Sequence, residues 1–186
     1  MIFDYLVLID LWNDDVIKRH NYKTNGLCDI ILSDKTIYKL LNNLNSFEFK
    51  NIVISNGKHP DTSGKEMDVD ADTHYLIDSY IKENNINSYV LNKRGEEYYG
   101  MKDSDNIFNV FTEDDNILVG GMDWDMCVHT RCTGLLELKK RNFNIYSSPH
   151  ICIRDDEFIT TNHFNSDERI EWDSLDNNTF KAKKLK

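Results

Sequence analysis

Short apolar runs alternate with segments of helical periodicity along the first 150 residues. Five runs have the length and composition of strands that are buried on both faces, at residues 5–9, 51–55, 89–91, 116–119 and 144–146. Between them, apolar residues recur at helical spacing in three segments, residues 34–44, 73–83 and 128–140. Strands that alternate with helices through short connections predict an α/β fold, with helices on both faces of a mainly parallel sheet.

This pattern weakens after about residue 153. Residues 154–178 are polar and acidic, and the stretch 180–186 carries four lysines. We therefore predict one domain over residues 1–153. Residues 154–186 are interpreted as an atypical C-terminal extension of that domain, with a basic, solvated end that is a candidate for disorder.

Composition narrows the possible partners. The chain has 32 acidic and 22 basic residues and a net charge of −10, which argues against binding to nucleic acid or to an anionic membrane. No apolar run approaches the roughly 20 residues that span a bilayer, and the first residues lack the features of a signal peptide. The four cysteines form no C-x-x-C pair, so we expect reduced thiols and a cytoplasmic protein. Neither a G-x-G-x-x-G motif nor a P-loop is present, and we predict no cofactor.

Three chemically capable side chains follow predicted strands, namely Asp10, Lys93 and Cys127. The carboxyl ends of parallel strands form the edge at which α/β proteins bind ligands, so we expect the three to converge. Cys127 follows a glycine turn and opens a predicted helix, whose dipole is expected to lower the thiol pKa. A thiolate nucleophile needs a base and a cation, which Asp10 and Lys93 can supply. The alternative is that Cys127 is a buried structural cysteine.

The segments around these side chains resemble the isochorismatase-like hydrolase family. They read LVLIDLWND at residues 6–14, LNKR at 91–94 and ILVGGMDWDMCV at 117–128, in the order that the family shows. The resemblance covers roughly residues 5–150. It implies a three-layer α/β/α sandwich and a cysteine hydrolase that acts on C–N bonds other than peptide bonds, commonly a homo-oligomer.

The resemblance also implies a role for each residue of the site. Asp10 would take the proton of Cys127 and pass it to the leaving amine, and Lys93 would hold Asp10 and favour the thiolate. Cys127 would attack a carbonyl carbon to form a thioester, which water hydrolyses. A cis peptide bond is implied between Met122 and Asp123, and the N–H groups of Asp123 and Cys127 would form the oxyanion hole.

Departures from the family pattern leave the substrate open. Trp12 and Asp15 stand where the family has Gln and Phe, and Asp123 and Trp124 replace small residues in the cysteine turn. We expect a small molecule with a neutral or cationic amide, ureide or carbamoyl group, because several carboxylates crowd the edge near Asp10. These are Asp14, Asp15, Asp123 and Asp125, with apolar walls expected from Trp12, Tyr98, Tyr99 and Trp124. The alternative is that these carboxylates cap helices or face water.

The branch of the family that binds a metal carries two histidines in the loop after the second strand. Here that loop keeps His59, while Gly57 and Ser63 stand where the metal-binding pattern has Asp and the second His. One imidazole is too few for a stable site, so we predict no metal. Two alternatives to an active amidohydrolase stay open. One is a binding or regulatory protein with weakened catalysis, and the other is a nicotinamidase with an atypical metal site.

Overall fold

A computed structural model of the chain describes residues 1–11, 32–56, 73–91, 110–131 and 133–184. Several predicted site residues lie outside these ranges, namely Trp12, Asp14, Asp15, His59, Lys93, Tyr98 and Tyr99.

The described chain contains eight strands and five helices. The strands are β1 (Ile2–Ile9), β2 (Glu48–Ser55), β3 (Asn87–Leu91), β4 (Asn116–Met122), β5 (Asn144–Arg154), β6 (Glu157–Phe158), β7 (Trp172–Ser174) and β8 (Phe180–Ala182). The helices are α1 (Asp34–Leu44), α2 (Tyr75–Glu83), α3 (Cys127–Thr130), α4 (Leu135–Lys140) and α5 (Thr161–Asn165).

All eight strands belong to one mostly parallel sheet. Its order is β3-β2-β1-β4-β5-β8-β7, with β6 paired to the end of β5. The first five strands pair in parallel, whereas β6, β7 and β8 are antiparallel to their neighbours. Four consecutive residues of β1, at positions 6–9, are fully buried, so both faces of the central strand are covered. The predicted α/β class with a mainly parallel central sheet is confirmed.

The five predicted strands are all present, and β5 is longer than predicted. Its buried residues continue through Ile151 and Ile153, and Ile153 pairs with Met122 of β4 after a register shift. The apolar pattern predicts only the first part of β5. It is then interrupted by two buried serines, a proline and an exposed histidine.

The single helix predicted over residues 128–140 is wrong, because the chain forms two short helices there. Arg131 adopts an extended backbone conformation and ends α3. Gly134 precedes α4 and is closely approached by backbone oxygens of Val128 and Arg131, at 2.8 and 2.9 Å from where a Cβ would stand.

The C-terminal extension continues the sheet. Phe180 and Ala182 are buried in β8, which pairs with β5 and β7, so the prediction of a solvated tail is wrong for these residues. Aromatic packing holds the extension, since Phe164 of α5 stacks on Phe180 with ring centroids 4.3 Å apart. Within the described ranges, no helix is long and apolar enough to cross a membrane.

Asp4 joins three strands near the amino end of the central strand. Its carboxylate accepts hydrogen bonds from the backbone N–H of Asn116 in β4 at 2.9 Å and from Lys50 Nζ in β2 at 2.6 Å. These contacts, the backbone one above all, lower the pKa of Asp4.

Asp4→Asn is expected to reduce the free energy of unfolding by about 1 kcal/mol at neutral pH. Because the pKa of Asp4 is lower in the folded chain, its stabilisation is present above the unfolded value of about 3.9 and is lost as the pH falls through the folded value. Urea unfolding of both proteins from about pH 7 to about pH 2 measures this difference. Asp173→Asn, at an exposed ion pair with Lys183, is the control and should change little. A difference for Asp4→Asn that does not vary with pH would contradict the assignment.

Candidate active site

The site lies where β1 and β4 run side by side at their carboxyl ends. Ile9 of β1 is paired with Gly121 of β4, so the residues that follow the two strands emerge together. Gly121 has a φ of 126°, and a Cβ there would lie 2.2 Å from the carbonyl oxygen of Ile9. Glycine is therefore required for this close approach of the two strands.

Asp10 follows β1 directly and is fully buried. Its backbone has a positive φ of 54°, and its N–H donates to the carbonyl of Ser55 at the end of β2. Arg131 Nε donates a hydrogen bond to Asp10 Oδ2 at 2.8 Å, and Arg131 Nη2 lies 2.7 Å from the same oxygen. Because only 5% of the Arg131 side chain is exposed, the two residues form a buried ion pair.

Cys127 is the first residue of α3, and its thiol lies close enough to the Asp10 side chain for that side chain to shift the thiol pKa. Burial, and then the negative charge of Asp10, raise the pKa of the thiol far above its usual range, while the charge of Arg131 acts in the opposite direction. The prediction that a helix dipole lowers this pKa is therefore wrong. The helix has only four residues, and its field does not outweigh burial and the adjacent carboxylate. The resting residue is a protonated thiol against a carboxylate.

The turn between β4 and α3 leads directly into Cys127. The peptide bond between Met122 and Asp123 is cis, at the position where the resemblance places one. A backbone hydrogen bond from Asp123 lowers the pKa of the Cys127 thiol. Only a donor favours a thiolate, so this contact is made by the N–H of Asp123. One of the two groups predicted for the oxyanion hole thus lies against the sulfur, and its catalytic role stays a prediction.

Trp124, predicted as a substrate wall, is almost fully buried and is among the residues that line a cleft beside the turn between β4 and α3. Its side chain is only 1% exposed and packs against Phe164 and Trp172, with ring centroids 4.6 and 6.3 Å away. Both partners belong to the C-terminal extension. A large apolar side chain in this turn therefore anchors the turn to the extension.

A buried polar contact also links α3 to the C-terminal extension. His129 Nε2 lies 3.0 Å from Asp167 Oδ2, and His129 Nδ1 hydrogen bonds with the carbonyl of Trp124. Asp167 also accepts a hydrogen bond from Trp172 Nε1 at 3.1 Å. Burial would raise the pKa of Asp167, but its hydrogen bonds, with that of His129 the largest, outweigh burial and lower it. The carboxylate of Asp167 thus connects the C-terminal extension to α3 and to the turn that precedes it.

The predicted excess of negative charge is not found among the described residues. Asp10 is paired with Arg131, and Asp125 Oδ2 lies 3.0 Å from Arg154 Nε. Burial raises the pKa of Asp123, which disfavours its charged form. The charges in this part of the chain therefore give no support for a preference for a neutral or cationic substrate.

Sequence reasoning missed Arg131, His129 and Asp167. Arg131 and His129 follow Cys127 by four and two residues, and the spacing of Arg131 matches one helical turn. That spacing was the available signal for Arg131. Asp167 lies 38 residues after His129 in a polar stretch, and no local pattern indicates it.

Other candidate binding features are limited. In the described ranges no group of three or more His, Cys, Asp or Glu side chains could hold a metal ion. A cleft of about 350 Å³ opens beside the cysteine turn, and among its lining residues are Asp125, Arg154, His163 and Arg169. Neither Asp10 nor Cys127 lines this cleft, so it is separate from the site described above.

Comparisons of the chain with protein-family models, with curated proteins and with solved structures return no match. A function for the protein therefore has to be inferred from the chemistry of the site itself.

Asp167→Asn is expected to lower the free energy of unfolding by about 3 kcal/mol, because it removes the charge that His129 and Trp172 contact inside the protein. Urea unfolding measures the change. Asp176→Asn is the matched control, since Asp176 is exposed and its side chain accepts a bond from Asn178 in its own turn. Equal losses in the two variants would contradict the role given to Asp167.

Proposed function

We propose that the protein is a cysteine hydrolase that cleaves the C–N bond of a small amide, ureide or carbamoyl compound through a thioester intermediate. The observation that carries the proposal is the juxtaposition of Cys127 and the buried carboxylate of Asp10, which Arg131 links through its hydrogen bonds to both residues. A thiol held against a carboxylate is the arrangement that nucleophilic attack with general-base assistance requires.

In the first step, Cys127 Sγ attacks the carbonyl carbon of the substrate while Asp10 accepts the thiol proton. The raised pKa of Cys127 makes this transfer necessary, since little thiolate is present beforehand. The carbonyl oxygen gains a negative charge, and in the proposal the N–H groups of Asp123 and Cys127 stabilise it.

In the second step, the tetrahedral intermediate collapses and the C–N bond breaks. Asp10 returns its proton to the departing nitrogen, which leaves as ammonia or an amine, and the acyl group stays on Cys127 as a thioester. Water then attacks this thioester and passes a proton to Asp10. The C–S bond breaks, and the proton returns to sulfur, so the products are an acid and the regenerated thiol.

The proposal includes the three-layer arrangement that the isochorismatase-like resemblance implies. Fully buried positions on both faces of β1 need covering layers on both sides. Right-handed connections would place α1 and α2 on one face and α3 and α4 on the other. Lys93 as a further cation of the site, self-association and a cytoplasmic location stay predictions.

A second candidate function is a binding or regulatory protein that keeps this fold with weak catalysis. The observation that favours it is the strongly raised pKa of the Cys127 thiol, which makes ionisation of the nucleophile costly.

The two candidates are separated by measuring ammonia release from a panel of small neutral, cationic and anionic amides, ureides and carbamoyl compounds. We expect turnover of at least one member, with losses of at least about 100-fold in Cys127→Ser and in Asp10→Asn. Cys152→Ser is the matched control, because Cys152 is a buried free cysteine that hydrogen bonds with Ser147. It should keep its activity.

Turnover that survives in Cys127→Ser would contradict the proposal. Absence of turnover across the panel would favour the binding or regulatory protein.

A further inference from the structure

Arg131 is fixed to the nucleophile by the backbone. Its N–H donates to the carbonyl oxygen of Cys127 at 3.0 Å, which closes the single turn of α3. The backbone then turns to an extended conformation at Arg131, and the side chain is directed into the protein, where 5% of it is exposed. The guanidinium is therefore carried by the same short element as the nucleophilic sulfur.

The guanidinium of Arg131 directly contacts the side chain of Asp10, the proposed base. Nε and Nη2 of Arg131 lie 2.8 and 2.7 Å from Asp10 Oδ2. Asp10 is fully buried and directly follows β1, so this ion pair connects α3 to the carboxyl end of β1. A displacement of α3 would have to break the pair or move Asp10 with it.

The chemistry of the two groups limits what Arg131 can do. A guanidinium stays protonated in proteins, so it cannot take the proton of the thiol. Its positive charge favours a thiolate at Cys127, where its effect opposes that of Asp10.

We propose that Arg131 is a positioning residue of this site, which holds the Asp10 carboxylate against the Cys127 thiol and supplies positive charge to the sulfur as its proton leaves. The inference deepens the proposed function and rests on it for its catalytic meaning. The resemblance gives the role of cation to Lys93. Arg131 adds a second cation, which comes from α3, the helix that begins with Cys127. Neither the resemblance nor the sequence pattern assigns a cation to this position.

The test uses the rate at which iodoacetamide alkylates Cys127, which needs no substrate and no turnover. Rates are followed from about pH 7 to about pH 11, and peptide mass spectrometry separates the Cys127 adduct from adducts on the other cysteines. Arg131→Met should slow alkylation of Cys127 by roughly tenfold below the midpoint of its pH profile, because one pKa unit changes the thiolate fraction tenfold. Arg131→Lys should restore the rate to within about threefold of the original, since it keeps the charge.

Arg141→Met is the matched control, because Arg141 pairs with Glu137 on the surface of α4 and should leave the profile unchanged. Circular dichroism confirms that each variant is folded. If Arg131→Met does not fold, Arg131→Gln, which keeps N–H donors without the charge, is measured with the same expectation. An unchanged or faster rate in the neutral variants, or a rate for Arg131→Lys as low as theirs, would overturn the inference.

This result and the failure of the proposed function are distinguishable. A slowed, lysine-rescued alkylation together with no hydrolysis in the amide panel would support the placement of Arg131 and reject the hydrolase. The opposite outcome is hydrolysis that depends on Cys127, with an alkylation profile that does not change in Arg131→Met. That outcome would support the hydrolase and reject the role given to Arg131.

Discussion

The buried ion pair between Asp10 and Arg131 is the interaction on which the rest of the site depends. A carboxylate without solvent is strongly unfavourable unless a partner compensates its charge. Here the partner comes from the helix that begins with Cys127, and the carboxylate comes from the end of the central strand. The pair therefore brings the proposed base and the proposed nucleophile together while it offsets the electrostatic cost of burying the carboxylate. Loss of either partner leaves an uncompensated charge, which typically costs about 3–5 kcal/mol.

This arrangement also determines how the thiol can react. Burial and the carboxylate both disfavour a thiolate, and the guanidinium and the N–H of Asp123 favour it. The balance leaves a protonated thiol at rest, so the proposed attack requires proton transfer to Asp10 and does not start from a pre-formed thiolate. A thiol of this kind reacts slowly with general electrophiles in solution, and in the proposal it reacts faster with a bound carbonyl group that is placed within its reach.

Much of the sheet could be predicted from the sequence because its central strands are buried on both faces. Such strands appear as continuous apolar runs, and positions 6–9 and 117–119 are examples. The resemblance likewise indicated Asp10 and Cys127, which lie close enough for Asp10 to raise the pKa of the Cys127 thiol. The C-terminal extension escaped prediction because its strands have three residues or fewer. Its packing depends on Trp124, Phe164 and Phe180, which lie far apart in the chain. The role of Asp167 likewise depends on a partner that is distant in the chain, so no periodic pattern in the sequence indicates it.

The central claim is that Cys127 becomes acylated with Asp10 as its base. It is tested most directly by acid-quenching the protein during turnover of an active amide and locating the acyl group by peptide mass spectrometry. The account predicts an acyl thioester on Cys127 in the original protein and no adduct in Asp10→Asn within the same time. Product formation without an adduct on Cys127, or an adduct on another residue, would contradict it.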